Sequence, residues 1–167
     1  IVGIVQGVGF RPFIYNLANS LGISGTVKNI SSGVIIEATS SPDNINTFYN
    51  GIIQNPPPMS RIDSMMREEI PLKNYPGFHI LESEIQPGTF SLIPPDIATC
   101  PDCLRELFDP SDRRYRYPFI NCTNCGPRFS IIHQMPYDRP YTSMEGFPLC
   151  KECLAEYEDP TNRRFHA

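Results

Sequence analysis

The chain has 167 residues, of which 18 are proline, 11 glycine and six cysteine, with 40% hydrophobic and 19% charged residues and a formal net charge of -4. That is room for one ordinary domain or two small ones and excludes a large multi-step enzyme within this length. No run reaches the roughly 18 uncharged apolar residues that cross a bilayer, no basic segment with a cleavage site opens the chain, and the acidic balance argues against a nucleic-acid partner, so a cytoplasmic protein without membrane association is expected.

In chain order, residues 1–5 form a short apolar run that predicts a buried strand. After the loop QGVGF, the residues Phe13, Ile14, Leu17, Ala18 and Leu21 recur at spacings of three and four, and Gly22 supplies a stop. This predicts an amphipathic helix over 11–21. Residues 23–30 and 34–39 read as two strands joined by Ser31-Ser32-Gly33, with Val34 and Ile36 on one face and Ile35 on the other. Ser41-Pro42-Asp43 has the form of a helix start, and Ile45, Phe48, Tyr49, Ile52 and Ile53 keep a helical period until Asn55 and three prolines end it. Residues 62–70 and 78–81 supply further extended pieces. The order βαββαβ, with an extra edge strand, gives an α+β, ferredoxin-like unit over residues 1–86, with two helices on one face of an antiparallel sheet. Residues 87–99 lack a sustained period and read as a linker.

All six cysteines lie in the remainder, in three C-x-x-C pairs: Cys100 and Cys103, Cys122 and Cys125, Cys150 and Cys153. Two such pairs place four thiolates around one tetrahedral ion, and in a reducing compartment the spacing points to zinc rather than to disulfides or a redox dithiol. The region is too rich in proline, glycine and paired cysteine for a large apolar core, so metal is expected to stabilise it, by on the order of 10 kcal/mol per site.

CPDCLRELFDPSDRR from Cys100 recurs as CKECLAEYEDPTNRR from Cys150, with Cys, Cys, Leu, Glu, Asp, Pro, Arg and Arg at identical offsets. The unit is therefore duplicated, with a first finger repeat over 100–149 and a second over 150–167. In the second copy the counterparts of Cys122 and Cys125 would fall beyond Ala167, so that repeat is expected to be truncated, with a closed site only at Cys100, Cys103, Cys122 and Cys125. Two other arrangements stay open: Cys150 and Cys153 could serve the first ion, and His166 could complete a partial second site or simply lie on the surface. The repeated Arg pairs read as braces for the metal loops, with a nucleic-acid patch as the other reading.

The loop Val5-Gln6-Gly7-Val8-Gly9-Phe10-Arg11-Pro12 joins the first strand to the first helix. Glycines let successive amides turn inward as an anion nest, a helix N-terminus adds partial positive charge, and a guanidinium grips a phosphate bidentately. Close strand-helix packing would demand the same glycines. The complete string VQGVGFR resembles the signature loop of acylphosphatases, and TVKN supplies a matching Asn on the second strand. The resemblance implies a ferredoxin-like fold, a phosphoryl cradle made by the amides of Gln6, Gly7, Val8, Gly9, Phe10 and Arg11 with the Arg11 side chain, and a water oriented by Asn29.

The resemblance extends through PPDIATCPDC, RRYRYPFINCTNCGPRFSII and MPYDRPYTSM to DPTNRRFHA, and the whole is similar to the N-terminal part of the HypF family of hydrogenase-maturation carbamoyltransferases. That family implies carbamoyl phosphate as substrate, ATP used by C-terminal domains not found in this chain, structural zinc, and transfer of the carbamoyl group to a partner, HypE, on the way to the cyanide ligand of NiFe hydrogenases. The expectation for this chain is hydrolysis of carbamoyl phosphate at Arg11 and Asn29, beside an architectural zinc module. The alternative is a general acylphosphatase fused to a zinc-binding module for protein interaction or nucleic-acid binding.

Overall fold

Alternating apolar side chains between turn residues set out the first half of the computed structural model, which describes residues 1–84, 96–126, 128–135 and 137–167. The strands are β1 (Val2–Ile4), β2 (Ser24–Ile30), β3 (Gly33–Thr39), β4 (Arg61–Ser64) and β5 (Phe78–Ile80), with helices α1 (Phe10–Ser20) and α2 (Pro42–Gln54) between them. Most of the expected linker at 87–99 lies outside the described residues.

β2 and β3 form an antiparallel hairpin in register from Ser24 opposite Thr39 to Ile30 opposite Gly33. β1 pairs antiparallel with β4. The two ladders meet where the Val34 amide donates to the Ile1 carbonyl (2.9 Å) and the Ile1 amino group donates to the Val34 carbonyl (2.9 Å). β5 lies parallel to β2 on its other side. Across the sheet the strands therefore run β4, β1, β3, β2, β5: the ferredoxin-like arrangement plus one edge strand.

The helices are placed by their apolar stripes. In α1, Ile14 and Ala18 are fully buried, and Phe13, Leu17 and Leu21 pack against the same core with Val5, Ile23, Val27 and Val34. α2 starts at Ser41, whose hydroxyl accepts from the Asn44 amide (3.4 Å), with Pro42 in the first turn. It buries Phe48 and Ile52, and Phe48 meets Phe78 edge to face at 6.3 Å. Ile53, on the expected stripe, is left exposed. Of the extended stretch expected at 62–70 only residues 62–64 lie in a strand, β4, which starts one residue earlier at Arg61 and pairs with the three residues of β1.

The second half is organised by its repeat. Helices α3 (Pro101–Phe108) and α4 (Lys151–Glu158) each begin immediately after a cysteine, Cys100 and Cys150, and carry the second cysteine of the pair in their first turn. Both end at an Asp whose Oδ1 accepts from the amide two residues on, Asp109 from Ser111 (2.9 Å) and Asp159 from Thr161 (2.8 Å). Both then turn back through a residue of positive φ, Arg116 (58°) and His166 (53°), whose amides donate to Leu107 and Tyr157.

The two copies are tied together by exchanged arginines. Arg163 Nη1 donates to Cys103 Sγ (3.0 Å), and Arg163 and Arg164 both pair with Glu106. In the opposite direction Arg113 Nη1 donates to Cys153 Sγ (3.4 Å), and Arg113 (2.7 Å) and Arg114 both pair with Glu156. Burial opposes ionisation of Glu156, but Arg114 and Arg113 hold its carboxyl below the ordinary range. The arginines thus brace the cysteine loops of the other copy, and Arg164 Nε also approaches Glu156 of its own copy at 3.7 Å.

Candidate active site and metal centre

The loop between β1 and α1 is forced into an inward-facing shape. Gly7 (φ 71°) and Gly9 (φ 77°) adopt the left-handed conformation, which glycine occupies without steric cost. Gly9 is the N-cap of α1 and, having no side chain, makes no cap hydrogen bond, so the first-turn amides are not spent on the N-cap residue. The loop is fastened from behind: Gln6 Nε2 donates to the carbonyls of Ile30 (2.7 Å) and Gly33 (3.1 Å) at the β2–β3 turn.

Arg11, in the first turn of α1, is 7% exposed, and Asn29, on β2, is 1% exposed. In the amide orientation that satisfies both groups, Asn29 Oδ1 accepts from Arg11 Nε (3.1 Å) and Nη2 (3.3 Å), which turns the Asn29 Nδ2 donor to the other side of the amide. The fold thus joins the two expected catalytic side chains directly, on the sheet face that carries α1.

The finger region closes over this loop. Thr123, between Cys122 and Cys125, lies so close that a Cβ on Gly9 would come within 2.9 Å of its own Cβ. Thr123 is itself held by its amide and hydroxyl, both donating to the Arg163 carbonyl (2.9 Å each). A narrow cleft remains, lined by Gly7, Gly9, Arg11, Thr123, Tyr137 and His166. Two of these lining residues meet Asp138: its Oδ1 accepts from Arg11 Nη2 (3.0 Å) and meets His166 Nδ1 at 3.2 Å, and its Oδ2 accepts from the Ser83 hydroxyl. Burial works against the Asp138 carboxylate, but the His166 hydrogen bond, the Arg11 charge and Ser83 bring its pKa to about 2. Asp138, Ser83 and Thr123 were not among the residues that the sequence singled out; nothing in their local sequence links them to a loop up to 127 residues away.

Cys100, Cys103, Cys122 and Cys125 gather with all four sulfurs within 4.8 Å of one another, and Cys100 and Cys122 are 3.6 Å apart. Four thiolates about 2.3 Å from a tetrahedral zinc sit roughly 3.8 Å apart, so the set fits that ion. Its electrostatics fit as well. Burial, and then the charge of Cys122, push the Cys103 thiol up, and burial pushes up Cys100. Cys125 goes the other way: burial opposes it, but the Cys100 and Cys122 amides and the Cys100 side chain bring it to about 7. Four thiolates this close, three of them buried, repel one another, and a divalent cation is what lets all four ionise. Arg163 supplies a further donor to Cys103.

Cys150 and Cys153 are not drawn into this group. Among the described residues they face Arg113, at 3.9 and 3.4 Å. His166 is occupied elsewhere, bonded to Asp138 and stacked on Tyr157 at 4.7 Å.

A glycine-nest loop backed by an Arg–Asn pair on a ferredoxin-like sheet defines an acylphosphatase-type protein, here joined to a duplicated cysteine finger. Residues 1–80 match the Acylphosphatase family model, and residues 99–132 and 149–167 match the HypF finger model. The chain belongs to the acylphosphatase family through its first unit and, with its fingers, corresponds to the N-terminal portion of HypF. It is 48% identical over 145 residues to the carbamoyltransferase HypF of Synechocystis sp., covering 87% of this chain and 19% of that protein. It is 35% identical over 81 residues to the acylphosphatase of Pseudothermotoga lettingae, covering 48% of this chain and 91% of that protein. The crystal structure of a full-length HypF in its phosphate- and nucleotide-bound form superimposes with a TM-score of 0.94 at 54% identity, over 100% of this chain and 22% of that one. The chain thus spans about a fifth of the length of the HypF relatives. No helix among the described residues is long and apolar enough to cross a membrane.

Proposed function

We propose that this chain hydrolyses carbamoyl phosphate to carbamate and phosphate, as the first step of a cytoplasmic carbamoyltransferase. The amides of Gln6, Gly7, Val8, Gly9, Phe10 and Arg11, with the Arg11 guanidinium, receive the phosphoryl oxygens, where charge accumulates in the transition state. Asn29 Nδ2 orients a water toward phosphorus. The water oxygen bonds to phosphorus, the bond from phosphorus to the carbamoyl oxygen breaks with its electron pair leaving on carbamate, and the water proton passes to solvent. Positioning and electrostatics suffice, so no covalent intermediate is required.

The observation that carries the reading is the buried Arg11 guanidinium held against Asn29 at the foot of the glycine loop. Arg11→Ala is expected to lower kcat/KM for carbamoyl phosphate by about 3–4 kcal/mol in transition-state stabilisation, a loss of two to three orders of magnitude. Hydrolysis by Arg11→Ala at the parent rate, measured as phosphate release, would remove the assignment.

Within this reading residues 1–86 form the hydrolytic unit, 87–99 a linker, and 100–149 and 150–167 the finger repeats. Zinc at Cys100, Cys103, Cys122 and Cys125 supplies structural cross-linking, with no open coordination position for chemistry, and Cys150 and Cys153 are ligands of a second ion. Carbamate would pass to ATP-dependent steps elsewhere in the larger protein, and its carbamoyl group to HypE.

A further inference from the structure

Resting on that reading of Arg11, we propose that Asp138, supplied by the finger region, is the positioning residue that holds the Arg11 guanidinium in the orientation offered to the phosphoryl group. The anion site is then assembled from both halves of the chain. Asp138 lies outside residues 1–80, which match the acylphosphatase family, so the contact is an addition to the loop and Asn29 that the family supplies.

The geometry is specific. A guanidinium has five N–H donors in a fixed plane. Asn29 takes Nε and one Nη2 donor, Asp138 takes Nη2 at 3.0 Å, and Ser83 meets Nη1 at 3.4 Å. The plane is therefore fixed from three sides, with one Nη1 donor left over among the described residues. Asp138 is itself immobilised: its side chain is 15% exposed, Ser83 and His166 hold its oxygens, and its carbonyl accepts from the Tyr141 amide (2.9 Å). His166 is fixed in turn by the Tyr157 and Phe165 rings, at 4.7 and 4.3 Å, and by its amide bond to the Tyr157 carbonyl. A carboxylate braced on this many sides is built to anchor its partner and not to be displaced by a ligand. Misplacing a phosphate clamp by about 1 Å costs on the order of 100-fold in rate, which is the scale on which such an anchor acts.

The test uses the zinc-loaded 167-residue chain with Asp138→Ala and Asp138→Asn. Two quantities are read: the Nε–H NMR resonance of Arg11, assigned by its loss in Arg11→Lys, and kcat and KM for carbamoyl phosphate and acetyl phosphate. Asp138→Ala is expected to shift and broaden the Arg11 resonance and to lower kcat by on the order of 10- to 100-fold with KM nearly unchanged. Asp138→Asn, which keeps an oxygen for Arg11, recovers most of the rate, and zinc content stays at the parent value in both. An unmoved Arg11 resonance in Asp138→Ala, or a kcat kept at the parent value, overturns the proposal. A kcat raised above the parent also overturns it, since Asp138 would then occupy the phosphoryl position. If instead the parent chain is inert, or Arg11→Ala is as active as the parent, the hydrolytic reading fails, and the Arg11 resonance alone still decides whether Asp138 holds this side chain.

Discussion

The two halves of the molecule are held together by opposite means. The α/β unit has a continuous apolar core from Val5 through Ile14, Val27 and Phe48 to Phe78, whose stability scales with the area taken out of water. The finger half has a small cluster built on cysteines and Ile120, and around it run charge-assisted bonds from Arg163, Arg164, Arg113 and Arg114 to the glutamates and sulfurs of the opposite copy. A core of the first kind tolerates change at its edges; an arrangement of the second kind depends on a few named contacts.

Withdrawing the metal should separate the halves most widely. Chelation of zinc is expected to cost the finger region on the order of 10 kcal/mol and to melt α3 and α4, leaving the sheet intact, as followed by hydrogen exchange. Loss of protection in β2 and β3 on chelation would break the contrast. Ile14→Ala, at a fully buried position in α1, should destabilise the α/β unit by about 2–5 kcal/mol in a denaturant melt and leave the zinc content unchanged. Glu106→Gln removes the carboxylate shared by Arg163 and Arg164. It should cost the finger region about 3 kcal/mol, read as faster zinc release to a chelator, without altering the sheet's transition.

The smallest effect concerns the seam between the halves. Asp138 is held at about 2, below its ordinary value of 3.8. A lowered carboxyl contributes stability above its ordinary pKa and loses it as pH falls through the folded one. The bonds of the Asp138 carboxylate to His166, Arg11 and Ser83 should therefore be at full strength above about pH 4 and be lost between about 4 and 2, a change on the order of 2 kcal/mol in all, of which the link to Arg11 is one part. Acid titration of the Asp138 carboxyl carbon by NMR checks this; a midpoint near 4 would show that the two halves do not share the charge.

Much of the first half was legible because its signals are local. Apolar spacing marked α1 and α2 to within a residue or two, and the Ser31-Ser32-Gly33 turn marked the β2–β3 hairpin. α3 and α4 were not read, since each has eight residues with several charged side chains and only their cysteine-led starts distinguish them. Arg11 and Asn29 could be named from the loop string and TVKN, and the structure brings them to 3.1 Å. The Asp138 contact spans 127 residues, and no periodicity reports on such a separation. The repeat announced that Arg113 and Arg163 were equivalent, but equivalence alone cannot say whether each serves its own copy or the other.

That exchange has an evolutionary consequence. The finger half behaves as a two-fold dimer fused into one chain, in which a patch on each copy meets the same patch on the other. Arg163 depends on Glu106, 57 residues before it, and Arg114 on Glu156, 42 residues after it. Neither copy drifts freely: a substitution at one of these arginines or glutamates removes a partner from the opposite copy, so the duplicated segments are expected to vary as a pair.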